Sequence, residues 1–134
     1  MAKKNKNQTQ KETKKYTDLL YMTPSQISAK ELSTLLKENK ELSVELWEEF
    51  NVLELEFHNE NSVDIEIINT PFKDPSDASF VKNRNIQTIF ALKLCEEDLD
   101  ELVKYFEIVI VQLGGFLCAD SDDFNPVYVG SSKI

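Results

Sequence analysis

Two runs of alternating apolar and polar residues, 53–57 and 63–67, are separated by a short polar segment. The apolar positions are Leu53, Leu55, Phe57, Val63, Ile65 and Ile67. The polar positions between them carry the carboxylates Glu54, Glu56, Asp64 and Glu66. Because side chains alternate across a strand, the pattern predicts a hairpin with one buried face and one acidic face.

The acidic face of this hairpin works against folding. Like charges directly opposite one another on antiparallel strands destabilise the pair by about 0.2–1 kcal/mol. Any register that buries the six apolar side chains together also aligns the four carboxylates. A neighbouring cation or a functional role is therefore needed to explain why four carboxylates lie on one face.

Helix-start signals occur twice near the N-terminal end of the chain. Thr23-Pro24-Ser25-Gln26 has the order of an N-cap, a first-turn proline and a capping-box glutamine. Ser28-Ala29-Lys30-Glu31 has a second capping box. We expect a helix that uses one or both starts and ends near Asn39, with a leucine stripe at positions 32, 35 and 36.

Two further helices are predicted in the second half of the chain. Asp74 and Pro75 supply an N-cap and a first-turn proline for a short helix that stops around residues 83–85. The acidic segment 96–101 opens the longest helix, since carboxylates are favourable at the positive end of the helix dipole. Gly114-Gly115 provides its C-terminal stop.

The remaining apolar segments predict strands and one ambiguous element. Residues 86–95 are apolar on nearly both faces, which is typical of a central strand, and Lys93 interrupts them on the face opposite Phe90, Leu92 and Leu94. Residues 116–119 and 127–129 predict two short strands, and 69–73 a loop. Residues 42–50 suggest a short helix or an irregular packed segment, in which Trp47 is a core or covering residue.

This order of elements predicts the α+β class. We expect a small mixed β-sheet, made of the hairpin, the central strand and one or two further strands, with helices packed mainly on one face. Two β-α-β crossovers are implied. The uncovered face would be the acidic one, and sheet parity places Lys93 on it.

The charge distribution divides the chain into a tail and a body. Residues 1–16 contain six lysines and one glutamate, a net charge of +5, which leaves -14 for residues 17–134. A segment so poor in apolar residues predicts a disordered basic tail. The remainder has the size of one compact acidic domain. Nucleic acid is expected as a partner only through the tail, whose simpler role is a solubilising arm in loose contact with the acidic body.

Cysteine usage and hydropathy exclude several classes of protein. Cys95 and Cys118 lie within apolar runs and are expected to be buried free thiols. The sequence shows neither an apolar signal segment nor a run long enough for a membrane helix, so the expected location is the cytoplasm. No cofactor motif is present, and we expect no cofactor.

Candidate chemistry is sparse. Asp120, Asp122 and Asp123 are candidate metal ligands, but the glycine and the glutamate of an EF-hand loop are missing, so solvated turn acids are the simpler interpretation. His58, the only histidine, has no adjacent nucleophile in sequence. The hairpin carboxylates share similar surroundings, whereas a catalytic acid and base need environments that separate their pKa values.

The sequence therefore favours a non-enzymatic acidic module that binds a basic protein. Its predicted contact residues are Glu54, Glu56, Asp64, Glu66 and His58. Small inhibitors and immunity-type proteins offer an analogy of charge and size. The alternative is a small-ligand-binding or metal-assisted enzyme domain, with a pocket near Trp47, the 69–77 loop and the turn at 120–123. A third hypothesis is that these carboxylates serve only to keep an exposed sheet face soluble.

Overall fold

The computed structural model describes residues 15–68, 72 and 74–130. The elements in chain order are β1 (Tyr16–Thr23), α1 (Ala29–Leu36), β2 (Ser43–Trp47), a 3-10 turn (Glu48–Phe50), β3 (Val52–Glu56), β4 (Ser62–Ile67), α2 (Pro75–Asn83), β5 (Thr88–Cys95), a second 3-10 turn (Glu96–Asp98), α3 (Leu99–Leu113), β6 (Phe116–Ala119) and β7 (Val127–Gly130). The predicted α+β class is confirmed. The prediction of a disordered tail concerns residues 1–16. Of these, Lys15 and Tyr16 are described, and residues 1–14 lie outside the described residues.

The described strands form one seven-stranded sheet in the order β2-β3-β4-β5-β1-β6-β7. Every pair of hydrogen-bonded neighbours in it is antiparallel. The prediction of a mixed sheet is therefore wrong. Strands β4 and β5 are direct antiparallel neighbours joined through α2. Strands β5 and β6 do run in the same direction with α3 between them, but β1 is inserted between the two, so this crossover pairs no parallel strands.

Strand β1 was missed in the sequence and occupies a central place in the sheet. It pairs along its whole length with β5 and over its second half with β6. Its last five residues, 19–23, are all buried, so both of its faces are covered and the sequence shows no alternation. Tyr16, assigned to the tail above, is the first residue of this strand. The proposed helix start at Thr23 is also wrong, because Thr23 ends the strand and its hydroxyl accepts the Ser25 amide.

The segment 42–50 also differs from the prediction. Residues 43–47 form β2, an edge strand paired with β3, and a 3-10 turn follows. Val44 and Leu46 lie toward the core, while Ser43, Glu45 and Trp47 are exposed. The alternation S-V-E-L-W is therefore that of a strand, and the helical spacing of Leu42, Leu46 and Phe50 was misleading.

Different helices pack on the two faces of the sheet. Helices α1 and α3 pack on one face, where Leu32, Leu36, Leu102 and Phe106 join the inward residues of the hairpin in the main core. Helix α2 packs on the opposite face through Phe80 and Val81, beside a smaller cluster made by Leu20, Met22, Phe116, Cys118 and Phe124. Two of the three described helices thus share one face, and α2 covers part of the other face, where its cluster includes residues of β1 and β6 and also Ile89 and Ala91 of β5.

The predicted helix signals are used as expected at three ends. Ser28 and Glu31 form a reciprocal capping box at the start of α1. Asp74 caps α2 through the Ser76 amide, with Pro75 as the first helical residue. Helix α3 ends at Gly114, whose φ of +78° favours glycine.

Side chains from β1 and the loop after it hold the C-terminal end of α3. The Tyr21 hydroxyl donates to the Gly114 carbonyl at 2.7 Å. The hydroxyls of Thr23 and Ser25 both donate to the Leu113 carbonyl at 2.8 Å. Carbonyls at a helix end have no partner within the helix, so these bonds satisfy them and fix α3 against the sheet.

Alanine substitution is expected to have different effects on stability at the two consecutive glycines after α3, because their surroundings differ. Gly114→Ala places a Cβ in ordinary van der Waals contact with the Pro24 ring, at 3.7 Å, and is expected to lower the free energy of unfolding by about 1–3 kcal/mol through backbone strain alone. Gly115→Ala adds an overlap with the Met22 carbonyl and the Thr23 backbone, so a loss of about 4 kcal/mol or more is expected. Urea unfolding of both variants measures the difference. Equal losses would contradict this packing of α3 against β1.

Candidate acidic face

The face of strands β2 to β5 opposite α1 and α3 lies beside the area that α2 covers. Its side chains are set by the register, which brings residues of five strands into line. Glu45 lies opposite Glu54, Glu54 opposite Asp64, Asp64 opposite Lys93, and Lys93 opposite Asp18. Asp120, the residue that follows β6, extends the line, because its amide donates to the Asp18 carbonyl at 3.1 Å. We call the carboxylates Glu45, Glu54, Asp64, Asp18 and Asp120 the acidic row.

The acidic row contains one cation. Lys93 lies between Asp64 and Asp18, on the face that sheet parity predicted for it. Its side chain is exposed, and across the described ranges the one ion pair within 4.0 Å joins Lys30 to Glu48 instead. Lys93 therefore offsets part of the negative charge by its position and is not locked to one carboxylate.

A shallow depression of about 460 Å³ lies at the centre of this face. Its lining includes Lys93, the four carboxylate residues Asp18, Asp64, Glu66 and Asp120, and the apolar residues Val52 and Ala91. Glu66 enters from the neighbouring line, where it lies opposite Val52 on one side and Ala91 on the other. The depression thus combines four carboxylates, one ammonium group and a small apolar floor.

The surroundings of this depression shift the pKa of Asp120. Burial raises the pKa of the Asp120 carboxyl above its ordinary value, and the charges of Asp18 and Asp77 raise it further. Both causes act in the same direction, since each disfavours the ionised form. Asp77 belongs to α2, so the negative region continues from the acidic row toward the start of that helix.

The two thiols are unsuited to nucleophilic catalysis. Both cysteines are free and buried, as predicted. Burial raises the pKa of Cys118 to about 12, and the charge of Asp120 contributes to the same shift. Reactive cysteines need an accessible, electropositive environment that stabilises the thiolate, and Cys118 has the opposite.

The residues proposed from sequence divide between this face and other places. Glu54, Asp64 and Glu66 lie on the acidic face. Glu56 has the same parity as Glu54 and lies on the same outer face at the end of β3, opposite Ser43 and Ser62 and outside the row. His58 is exposed in the turn between β3 and β4, about four residues or roughly 13 Å along the chain from Glu54. The structure therefore places the four carboxylates on one face and His58 in the turn beyond it.

The candidate metal ligands of the turn at 120–123 do not converge. Within residues 15–68, 72 and 74–130, the group of ligand atoms within 4.8 Å of one another is Cys95, Glu97 and Asp98, which excludes this turn. Asp123 instead accepts the Asn125 amide at 3.1 Å and the Ser121 hydroxyl at 3.2 Å. The bonds from Asn125 lower the pKa of Asp123, as expected for a carboxylate that caps a turn.

Asp98 and Glu97 have a structural role that the sequence did not indicate. Asp98 is buried and accepts the side-chain amides of Asn59 and Asn61, each at 2.9 Å. Asn61 also donates to Glu97 at 2.7 Å. These bonds hold the β3–β4 turn to the start of α3 and use the oxygens that a metal ion would need.

Three members of the acidic row were missed from sequence for different reasons. Glu45 lies in a segment for which a short helix or an irregular packed segment is predicted, although the alternation of residues 43–47 indicates a strand. Asp18 lay in β1, whose burial on both faces removes any alternation. Asp120 was assigned to a turn, and only the pairing of β1 with β6 puts it beside Asp18.

No protein-family model, curated protein or solved structure matches this chain. No helix in the part of the chain that the structure describes is long and apolar enough to cross a membrane.

The repulsion in the acidic row is testable with a matched pair on β3. Glu54 lies between Glu45 and Asp64, whereas Glu56 lies between Ser43 and Ser62. Glu54→Gln is expected to raise the free energy of unfolding by about 0.2–1 kcal/mol at low salt, with a smaller gain at high salt because salt screens the repulsion. Glu56→Gln, the control, should have a smaller effect. Urea unfolding at two salt concentrations measures both, and equal gains would mean that the row is not repulsive.

Proposed function

We propose that this protein is a non-enzymatic acidic module that binds a basic protein through the face containing Glu54, Asp64 and Glu66. The observation that carries the proposal is the line of five carboxylates with a single lysine on an uncovered part of the sheet. A basic partner would supply the cations that the described residues do not.

The energetics favour an outward-facing use of these charges. Cross-strand repulsion costs stability, whereas uncharged polar residues at the same positions would keep the sheet soluble without that cost. A dense single-sign surface gives two advantages in return. It accelerates the encounter with an oppositely charged protein, and it rejects partners of the same sign.

The type of partner follows from the sign and size of the surface. A net charge of -9 and an acidic face disfavour nucleic acid, whose phosphates would be repelled. Lysine or arginine side chains match the depression in charge, since its lining carries four carboxylates against one lysine. Inhibitors and immunity-type proteins that block a basic site use the same logic, and the likeness is one of charge and size only. We place this activity in the cytoplasm.

The alternative function is a small-ligand-binding or metal-assisted enzyme domain. Its supporting observation is the depression of about 460 Å³, within the range of ligand pockets, with Lys93 and Asp120 at its rim. The pocket expected from sequence would need Trp47 beside the turn at 120–123. Five strand intervals separate β2 from β6, or roughly 24 Å, and residues 69–71 and 73 of the loop lie outside the described residues.

Capture by three versions of the full chain tests the main proposal. The face variant combines Glu54→Gln, Asp64→Asn and Glu66→Gln. The control combines Glu38→Gln, Asp100→Asn and Glu107→Gln, which removes the same charge from exposed positions at the end of α1 and on α3. Wild type and control are expected to retain a basic protein from source-cell extract at low salt, and the face variant to release it.

The captured protein is then purified and titrated against the same three chains. The Kd for the face variant is expected to rise about tenfold or more, a loss of about 1.4 kcal/mol, and all three affinities should weaken with salt. An equal Kd for the face variant and the control would refute the proposal, as would capture of no basic protein. A thermal shift with a metal ion or a nucleotide that is lost in the face variant would favour the alternative.

A further inference from the structure

Strand β2 forms one margin of the sheet that the structure describes. The strand order places β3 on one side of it and no described strand on the other. The opposite margin, β7, pairs with β6 through a register shift, an irregularity that disfavours pairing with another strand. Residues 43–47 contain neither proline nor lysine, and their pairing with β3 is regular. Of these two margins, β2 is therefore the one suited to accept a further strand.

The hydrogen-bond pattern identifies the backbone groups that point outward from β2. The Phe57 amide donates to the Asn61 carbonyl at 2.9 Å, so the odd-numbered residues of β3 direct their backbone groups to β4 and the even-numbered ones to β2. The β2 residues opposite the even-numbered ones, at positions 43, 45 and 47, are therefore bonded within the sheet. The amides and carbonyls of Val44 and Leu46 point away from β3, in the direction that a further strand would occupy.

The inner face of β2 leaves apolar surface uncovered at the same margin. Leu53 and Leu55 of β3 are fully buried, whereas Leu46 and Val44, which lie opposite them, are only half-buried. Helix α1 packs against β2 and β3 from this face. The difference follows from position, because β3 has a described strand on each side and β2 has one on a single side. Apolar side chains on a further strand would cover what remains exposed.

The outer face of β2 sets the charge that such a strand must carry. Residues 43–50 contain three glutamates and no basic residue, and Glu45 ends the acidic row at this margin. A residue that faces Glu45 from outside belongs to a pair without hydrogen bonds, in which the Cα atoms are about 4.5 Å apart and the side chains are closest. Lysine or arginine is favoured there. Trp47, which is 38% exposed, offers an arginine its ring face.

The same glutamate disfavours a second copy of this chain at the margin. Two antiparallel copies of β2 paired about the centre of the strand would place Glu45 opposite Glu45. Like charges in that position destabilise the pair, and charged side chains on edge strands commonly prevent such self-association. The charge of β2 therefore selects a basic segment over a copy of itself.

We propose that the edge of β2 binds an extended segment of a basic protein as an additional antiparallel strand. The inference rests on the proposed function, because the segment belongs to the basic partner. In this segment, apolar residues opposite Val44 and Leu46 alternate with basic residues on the outer face, one of them opposite Glu45. Backbone hydrogen bonds supply affinity, and the alternating side chains supply specificity. The added strand continues the acidic row with a cation from the partner.

Two N-methylated forms of one peptide test strand pairing on the full chain. The probe is Arg-Val-Arg-Val-Arg with capped ends. Paired with residues 43–47, its valines lie opposite Leu46 and Val44 and direct their amides to β2, while its arginine amides point to solvent. Methylation of both valine amides is expected to raise the Kd about tenfold or more, because these amides lose their acceptors. Methylation of two arginine amides leaves charge and composition the same and should preserve binding.

Backbone amide chemical shifts measure the affinity and locate the bound peptide. The amide signals of Val44 and Leu46 are expected to move downfield during the titration, and their hydrogen exchange should slow. Leu46→Pro removes an outward amide, a position where an edge strand tolerates proline, and should weaken binding. Leu46→Ala, the control, also shortens the side chain but keeps the amide, so it should bind the peptide more tightly than Leu46→Pro.

Three results would overturn strand pairing at β2. The first is an equal Kd for the two methylated peptides. If the shifts then concentrate at Asp18, Asp64 and Lys93, the peptide binds the acidic face by charge alone, and the proposed function stands without an added strand. The second is no binding of the unmodified peptide, in which case the capture assay still decides the proposed function by itself. The third is a dependence of the Val44 and Leu46 shifts on protein concentration without peptide, which would show a second copy at this edge.

Discussion

The alternation of side chains across a sheet of fixed register is the constraint on which this structure depends. Burying Leu53, Leu55, Val63 and Ile65 against α1 and α3 fixes which face of β3 and β4 points inward. A shift of one residue would expose that whole apolar set. The same register places Glu54 opposite Asp64, so the core that stabilises the fold also creates the repulsive row on its outer face.

Strand β1 extends this constraint from the hairpin to the whole sheet. It joins β5 to β6, contributes residues to both apolar clusters and holds the end of α3 through Tyr21 and Thr23. Its one acidic position, Asp18, then falls in line with Lys93 and beside Asp120. The acidic face is therefore a property of the full sheet and is not confined to the hairpin in which the pattern is first visible.

The hairpin, the capping box at Ser28, the glycine stop at Gly114 and the long apolar run of β5 each carry a local signal with a physical cause, and each was predicted from it. Strand β1 is covered on both faces like β5, but its apolar run is shorter and leads into a misleading helix-start motif at Thr23. The edge strand β2 was masked by leucines at helical spacing, and the antiparallel sheet followed from inserting β1 between β5 and β6, which no local pattern predicts. The four hairpin carboxylates of the face were predictable, whereas Asp18, Glu45 and Asp120 depended on pairing between distant segments.

The role of Lys93 separates the main account from its alternative most directly. If the face binds cations, Lys93 is a partial neutraliser, and Lys93→Gln makes the surface more negative. If the depression binds an anionic ligand, Lys93 is the group that holds it. The measurement is titration of wild type and Lys93→Gln with a short peptide of alternating arginine and glycine at low salt. If the face binds cations, Lys93→Gln binds the peptide more tightly than wild type and has a lower free energy of unfolding. Weaker binding by Lys93→Gln would contradict a cation-binding face.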